Sequence, residues 1–350
     1  MKDIALIYDG THQTPDYKEQ GIPFVSVENI SSIYDYNKYI SNEAYNSDFL
    51  KNHPELGDVL MTRIGDIGTP AYINKNIKMG YYVSLARLKP TKYCSGKYLY
   101  YYIQTTEFQH ELWKRTIHVA FPQKINKEDL GDCKLYIPNI KKQEKIIKIL
   151  DMIEFRINTQ RKIIESKKSL IKSISQHYFK NKIANIELKD VVLINKGKQI
   201  NGSLLNDTFN YLFFNGGSEA SGKYNDYNAE NCISISEGGN SCGCVNFVKE
   251  KFWSGGHNYT LIPTKKINLD YLYFFLKYKE KELMSLRVGT GLPNIQKESL
   301  YKFKIYVPNY NIQNRIALIL IKFSESIKNE EKILKLYKKQ KDYLLNKMFI

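Results

Sequence analysis

The chain has 350 residues, 43% of them hydrophobic, and a formal net charge of +16 from 52 Lys and Arg against 36 Asp and Glu. That length exceeds what one hydrophobic core usually serves, so two domains are expected, and the charge favours a polyanionic partner, nucleic acid above all. No apolar run reaches 18 residues, and the opening MKDIALIYDGTHQ lacks a signal-peptide pattern, so the expectation is a soluble, cytoplasmic chain with no membrane partner.

Taken in order, the first block (1–133) is rich in Tyr, Phe, Asn and Gly. Its stretch GDVLMTRIGDIGTPAYI (57–73) reads as strand, glycine-rich turn, strand. An aromatic, helix-like segment follows at about 97–113. Leu135-Tyr136-Ile137 is β-prone and stands before Pro138, which holds its predecessor extended. Asn139 is then a plausible helix start, because a short polar side chain can satisfy orphan amides. Up to residue 180 no further proline or glycine interrupts the run.

The second block (181–303) repeats the scheme. LKDVVLI (188–194) echoes the opening MKDIALI. CISISEGGNSCGCVNFV (232–248) is again strand, turn, strand, and 270–286 is again aromatic and helix-like. Then 304–350 restates 134–180 at a gapless offset of 170, with 13 identities in 47 positions. Among them are Tyr136/Tyr306, Pro138/Pro308, Asn139/Asn309, Gln143/Gln313, Leu150/Leu320, Ile157/Ile327 and Phe179/Phe349. The match also runs upstream through Ile125/Ile295 and Leu130/Leu300. The chain is a tandem duplication of one unit.

Both long helices carry an apolar stripe spaced by threes and fours. The first runs Leu150, Ile153, Ile157, Gln160, Ile164, Lys167, Ile171, Ile174, Tyr178; the second runs Leu320, Phe323, Ile327, Glu330, Leu334, Tyr337, Lys341, Leu344, Met348. Each seam is too long for one small domain to cover, so an antiparallel coiled coil between the two is predicted. Lys167 and Lys341 sit on the seam and leave room for a third helix. The charge is concentrated here: 140–182 holds 12 Lys and Arg against 4 Asp and Glu, and 311–350 holds 9 against 4.

Signs of chemistry are missing from the sequence. Five cysteines (Cys94, Cys133, Cys232, Cys242, Cys244) make no zinc pattern, and no Pro-Pro occurs to build an adenine methyltransferase loop. Phe214-Asn215-Gly216-Gly217 lacks the spacing of a cofactor loop, Pro15-Asp16-Tyr17-Lys18-Glu19 lacks the acid-x-Lys pair that a nuclease needs on a following strand, and no Walker loop is present. No cofactor, metal or catalytic residue is expected.

The repeated YIPNIKKQEKIIKIL (136–150) and YVPNYNIQNRIALIL (306–320), with helices ending QHYF and NKMF, resemble the specificity subunits of type I restriction-modification systems. GIPFVSVENI (21–30), GDVLMTRIGDIG (57–68) and VGTGLPNIQKESL (288–300) extend the resemblance over the whole chain. Lys142 and Ile312 stand where the family more often has an acid before the glutamine. The resemblance implies an α+β fold: two globular target-recognition domains of similar fold (1–133 and 181–303), each followed by a connecting strand end and long helix (134–180 and 304–350). The helices would pair as an antiparallel coiled coil through Leu150, Ile153, Ile157, Ile164, Ile171, Leu320, Phe323, Ile327, Leu334 and Leu344.

It also implies a non-catalytic subunit that reads a bipartite double-stranded DNA site, one domain per half-site. Two DNA adenine methyltransferase subunits would dock on it, and a motor-nuclease restriction subunit could join. An orphan or anti-restriction subunit is the alternative, and a coiled-coil scaffold without a DNA role is a further one. Base readout needs forked or bidentate groups on loops. Four stretches are expected to supply them: Thr11, His12 and Gln13; Arg63; Lys196, Lys198, Gln199 and Asn201; and Arg287 with Thr290.

Overall fold

The computed structural model describes residues 1–50, 52–289 and 293–349. The chain forms two compact units, Met1–Arg161 with Ile333–Ile350, and Lys162–Lys332. Each unit holds one globular domain and a stretch of both long helices.

In the first unit the elements are β1 (Ala5–Asp9), β2 (Ile22–Val25), β3 (Tyr39–Ile40), α1 (Asn42–Asp48), β4 (Val59–Ile64), β5 (Asp66–Tyr72), β6 (Gly80–Tyr81), β7 (Leu85–Pro90), α2 (Gly96–Ile103), α3 (Thr106–Arg115) and α4 (Lys127–Gly131). The long helix α5 (Ile140–Phe179) runs from this unit into the next. There follow β8 (Ile186–Glu187), β9 (Val192–Lys196), β10 (Tyr211–Phe214), β11 (Gly222–Tyr224), β12 (Cys232–Ser236), β13 (Val245–Val248), β14 (Phe252–Ser254) and β15 (Asn258–Pro263). α6 (Leu269–Tyr278), α7 (Glu280–Met284), α8 (Lys297–Tyr301), β16 (Lys304–Ile305) and the second long helix α9 (Tyr310–Met348) complete the chain.

The globular domains share one topology. A four-stranded antiparallel sheet has the order β1-β7-β4-β5 in the first unit and β9-β15-β12-β13 in the second. A smaller sheet, β3-β2-β6 or β11-β10-β14, contains one antiparallel and one parallel pairing in each case. The two predicted hairpins are β4–β5 and β12–β13, and the echoed MKDIALI and LKDVVLI supply β1 and β9. The core strand β4 is buried on both faces (Val59, Leu60, Met61), because α2 covers one face and the small sheet the other.

Three details differ from the sequence expectation. The first aromatic segment is two helices, because the Thr105 hydroxyl accepts the Phe108 amide and starts α3 anew. The second likewise divides at Lys279, between α6 and α7. Lys304–Ile305 pairs with β8, whereas residues 134–137 form no ladder; there the Met1 ammonium donates to Cys133 O at 2.6 Å.

The repeated motif marks how each helix is fastened. The Asn139 side chain accepts the Lys142 amide at 3.0 Å and Asn309 accepts that of Ile312 at 3.0 Å, so each caps its helix. Gln143 is fully buried: its Oε1 accepts Ser95 N at 2.8 Å, and its Nε2 donates to Pro138 O and Tyr93 O, both at 2.8 Å. Gln313 does the equivalent with Asn268 N at 2.9 Å and Pro308 O at 2.8 Å. The proline carbonyl, the glutamine and the start of the aromatic helix thus form one buried knot in each unit.

The helix ends are exchanged. Phe179, ending α5, packs on Tyr271 and Phe275 of the second unit at 5.8 and 5.4 Å between centroids. Phe349, just past α9, packs on Tyr98 and Tyr102 of the first at 5.1 and 5.3 Å. Within each unit the helix stretches run antiparallel, and Leu150, Ile153, Ile157, Ile164, Leu320 and Ile327 are buried. Ile171, Phe323, Leu334 and Leu344 are half-buried.

The seam lysines do not open a gap for a third helix. Lys167 binds Glu330 and Ser326, each at 2.6 Å, and Lys341 binds Glu154 at 2.8 Å and Gln104 at 3.0 Å. Arg156 lies 6.0 Å over the Tyr337 ring in the first unit. Shifted by the repeat, those two positions are Ser326 and Lys167, which meet in the second. The duplication therefore keeps the geometry of the contact while changing its chemistry.

Candidate nucleic-acid interface

Strand order decides which loops meet. In the first unit Asp9 pairs with Ala86 and Thr62 with Leu85, so the loops after β1 and before β7 leave one end of the sheet beside the β4–β5 tip. In the second, Lys196 pairs with Tyr259 and Ser236 with Asn258, which gathers the corresponding loops after β9 and β12 and before β15. The loops that lead into α4 and α8 close each cluster: Gly65 N donates to Gln123 O at 2.8 Å, and Gly239 N to Pro293 O at 3.0 Å.

The expected reader residues fall on these rims with unequal roles. Thr11 is half-buried and bonds through its backbone to Tyr81 O and Val83 N, and this leaves His12 and Gln13 exposed. Arg63, expected to read bases, is engaged within the fold. It is buried, with Nε donating to Val83 O at 3.0 Å, one terminal nitrogen to Ile125 O at 3.2 Å, and the other 3.2 Å from Asp9 Oδ1. Each of its three guanidinium nitrogens is engaged, and together they tie three rim loops. A buried guanidinium needs such partners, and the sequence around Arg63 gives no hint of them.

In the second unit Lys196 is exposed and paired with Glu237 at 2.8 Å. Glu237 also accepts the Tyr259 hydroxyl at 2.9 Å, and that hydroxyl reaches Ile295 O at 3.2 Å. Burial, then this carboxylate, hold the Tyr259 hydroxyl above its ordinary pKa. Ile295 is the repeat mate of Ile125, so Tyr259 fastens in the second unit what Arg63 fastens in the first. Gly197, between the two lysines, has no room for a side chain: a Cβ would lie 2.0 Å from Gly255 O.

Lys198 and Gln199 are exposed, with the Lys198 backbone held by Ser254 O and the Trp253 indole N–H, both at 2.8 Å. Gln199 donates to Ile200 O at 3.0 Å, and Asn201 caps a short turn at Ser203 N. Arg287 is exposed, close enough to Cys242 to oppose the upward pull of burial on that thiol. Thr290 lies outside the described residues. Sequence reasoning missed Glu237, Tyr259 and the loop 117–124, although the repeat of Ile125 and Leu130 as Ile295 and Leu300 marks where that loop ends.

Among the described residues no group of three or more His, Cys, Asp or Glu could hold a metal ion, and no helix is long and apolar enough to cross a membrane. The cysteines are all buried and free. The rims thus present hydrogen-bonding and cationic side chains on braced loops.

The chain is similar to proteins already known. Over 160 residues, 45% of this chain, identity is 31% to a protein of Mycoplasma genitalium and 32% to one of Mycoplasma pneumoniae, both named as type I specificity subunits. The match spans 42% of each, under half the length of these curated relatives. The fold is similar to the crystal structure of a type I restriction-modification S subunit from M. genitalium, with a TM-score of 0.68 at 17% identity over 100% of this chain and 94% of that one. The model of the type I restriction modification DNA specificity domain matches residues 2–166 and again 180–337. The chain therefore belongs to the family of that domain, which it carries in two copies.

Proposed function

We propose that this chain is the sequence-reading subunit of a type I restriction-modification complex. Each sheet-end rim addresses one half of a split double-stranded DNA site. The long helices set the separation of the half-sites and dock two DNA adenine methyltransferase subunits, and a motor-nuclease subunit joins the same assembly. In functional terms the readers are 1–133 and 181–303 and the frame is 134–180 with 304–350. The chain itself recognises and positions; the partners carry the chemistry.

The observation that carries this reading is the same loop cluster at the same sheet end in both repeats. Support for partner docking comes from the outer helix faces. Met152 and Phe155 on α5, and Leu336 and Tyr343 on α9, are all more than half exposed. Large apolar groups left open in this number mark interaction surfaces. DNA affinity is then expected to fall steeply with salt.

The test is methylation sequencing of DNA from cells holding this chain with its methyltransferase, against cells lacking only this chain. A split adenine motif that depends on the chain supports the proposal and yields both half-sites and the spacer. A motif that persists without the chain refutes it, and inhibition of another system's motif identifies a blocking subunit instead.

A further inference from the structure

The loop 117–124 of the first unit carries two apolar side chains that the fold leaves bare. Val119 is 96% exposed and Phe121 104%. Single exposed hydrophobics are ordinary, but two at the tip of one short loop are not explained by packing. The feet of the loop are fixed: Ile117 N donates to Lys124 O at 2.8 Å, and Gln123 O accepts Gly65 N at 2.8 Å. Arg63 then ties the following residue, through Ile125 O, to Asp9 beside Thr11–Gln13. The tip is thus built onto the same rim as the polar reader loop, with exposed His118, Gln123 and Lys124 flanking it.

An apolar point with polar and basic flanks, braced at its base, is the composition with which proteins wedge open a base step while holding the adjoining phosphates. A protein partner would instead favour a broad apolar surface continuing past the tip; here the loop's own flanks are hydrophilic, and the exposed Trp113 beside them packs against the His110 and His118 rings at 6.0 and 5.0 Å. We propose that Phe121, with Val119 and Pro122 beside it, inserts between stacked bases of the half-site that the first unit reads. The counterpart loop, 288–294, reads VGTGLPN and contains no aromatic ring, so the aromatic wedge belongs to the first unit alone. This inference rests on the DNA-reading function proposed above.

The test uses the full chain with its methyltransferase and duplexes bearing the motif found by methylation sequencing. 2-Aminopurine, an adenine analogue, replaces each adenine of both half-sites and of the flanking base pairs in turn. The methylated adenines are scored separately, because methyltransferases flip their target base. The wild-type complex should raise fluorescence at one step that depends on Phe121. Phe121→Ala should abolish that rise and weaken binding roughly 10-fold, the size of one lost base–aromatic stack, while Phe121→Leu keeps part of both. Site-specific binding with flat fluorescence, or an unchanged rise in Phe121→Ala, overturns the wedge and leaves the function standing. Loss of methyltransferase capture by Phe121→Ala without DNA assigns the loop to a protein contact. Failure of the wild-type complex to bind its motif removes the function and the wedge together.

Discussion

Replacing Gln143 by Glu changes almost no volume and exchanges the side-chain amide's two donors for an oxygen. In the wild type the amide nitrogen is 2.8 Å from both Pro138 O and Tyr93 O, with the Pro138 bond buried and the Tyr93 bond only partly so. A buried carbonyl left without its donor costs about 1–3 kcal/mol, and Tyr93 O can turn partly to water, so the loss at pH 7 is about 2–3 kcal/mol. The new carboxyl faces two carbonyl oxygens, and this favours its protonated form and raises its native pKa above the unfolded value of about 4.3. Between those two pKa values the native state binds the extra proton, so stability falls as pH rises, by up to about 1.4 kcal/mol per unit. Below pH ~4 the protonated group can donate one of the two lost bonds, and most of the deficit disappears. Urea unfolding of Gln143→Glu and wild type at matched pH values from 4 to 7.5, with hydrogen exchange of the α2 amides as a local probe, measures this. A deficit below about 0.5 kcal/mol at pH 7, well under the cost of one orphaned carbonyl, or one that grows toward acid, would refute the account of the knot.

Truncating a buried Phe to Ala costs about 3–5 kcal/mol, so Phe349→Ala should strip exchange protection from α2 of the first unit, and Phe179→Ala from α6 of the second. The opposite assignment would reject the exchanged helix ends. Arg63→Met, which keeps bulk but loses all three rim ties, should speed proteolysis within 10–14 and 117–124 while leaving 196–201 unchanged; an unaltered digest would mean that the ties carry little. Burial pushes the Cys94 thiol up to about 12 and those of Cys133 and Cys232 to about 11. Disulfide reagents at pH 8 should therefore label these three slowly until urea exposes them, and stability should decline above about pH 8.5 as the unfolded thiols ionise. Rapid native labelling of any of the three would contradict their burial.

Much of this molecule is written locally. The seam positions from Leu150 to Ile164 are buried because a three-and-four spacing fixes one helix face whatever covers it. Asn139 and Asn309 cap their helices because capping involves only the next three residues, and the hairpins at 57–73 and 232–248 follow from β-prone runs on either side of a glycine-containing turn. The offset of 170 made the shared fold of the two domains legible, since a duplicated sequence repeats its topology.

Long-range partnership was not encoded in any spacing. Nothing in the α9 pattern says that Phe349 joins the first domain, because an amphipathic stripe specifies a face and not its occupant. Arg63 looks like a free reader in sequence, yet Asp9, Val83 and Ile125 converge on it only once four strands are ordered β1-β7-β4-β5. Lys167 and Lys341 break the seam as letters and complete it as ion pairs. Composition and the repeat were enough to identify two similar domains and two long helices. Tertiary structure decided which of the expected reader side chains stay exposed at the rims, as His12 and Lys198 do, and which are tied into the fold, as Arg63 is, because that division depends on contacts between residues dozens of positions apart.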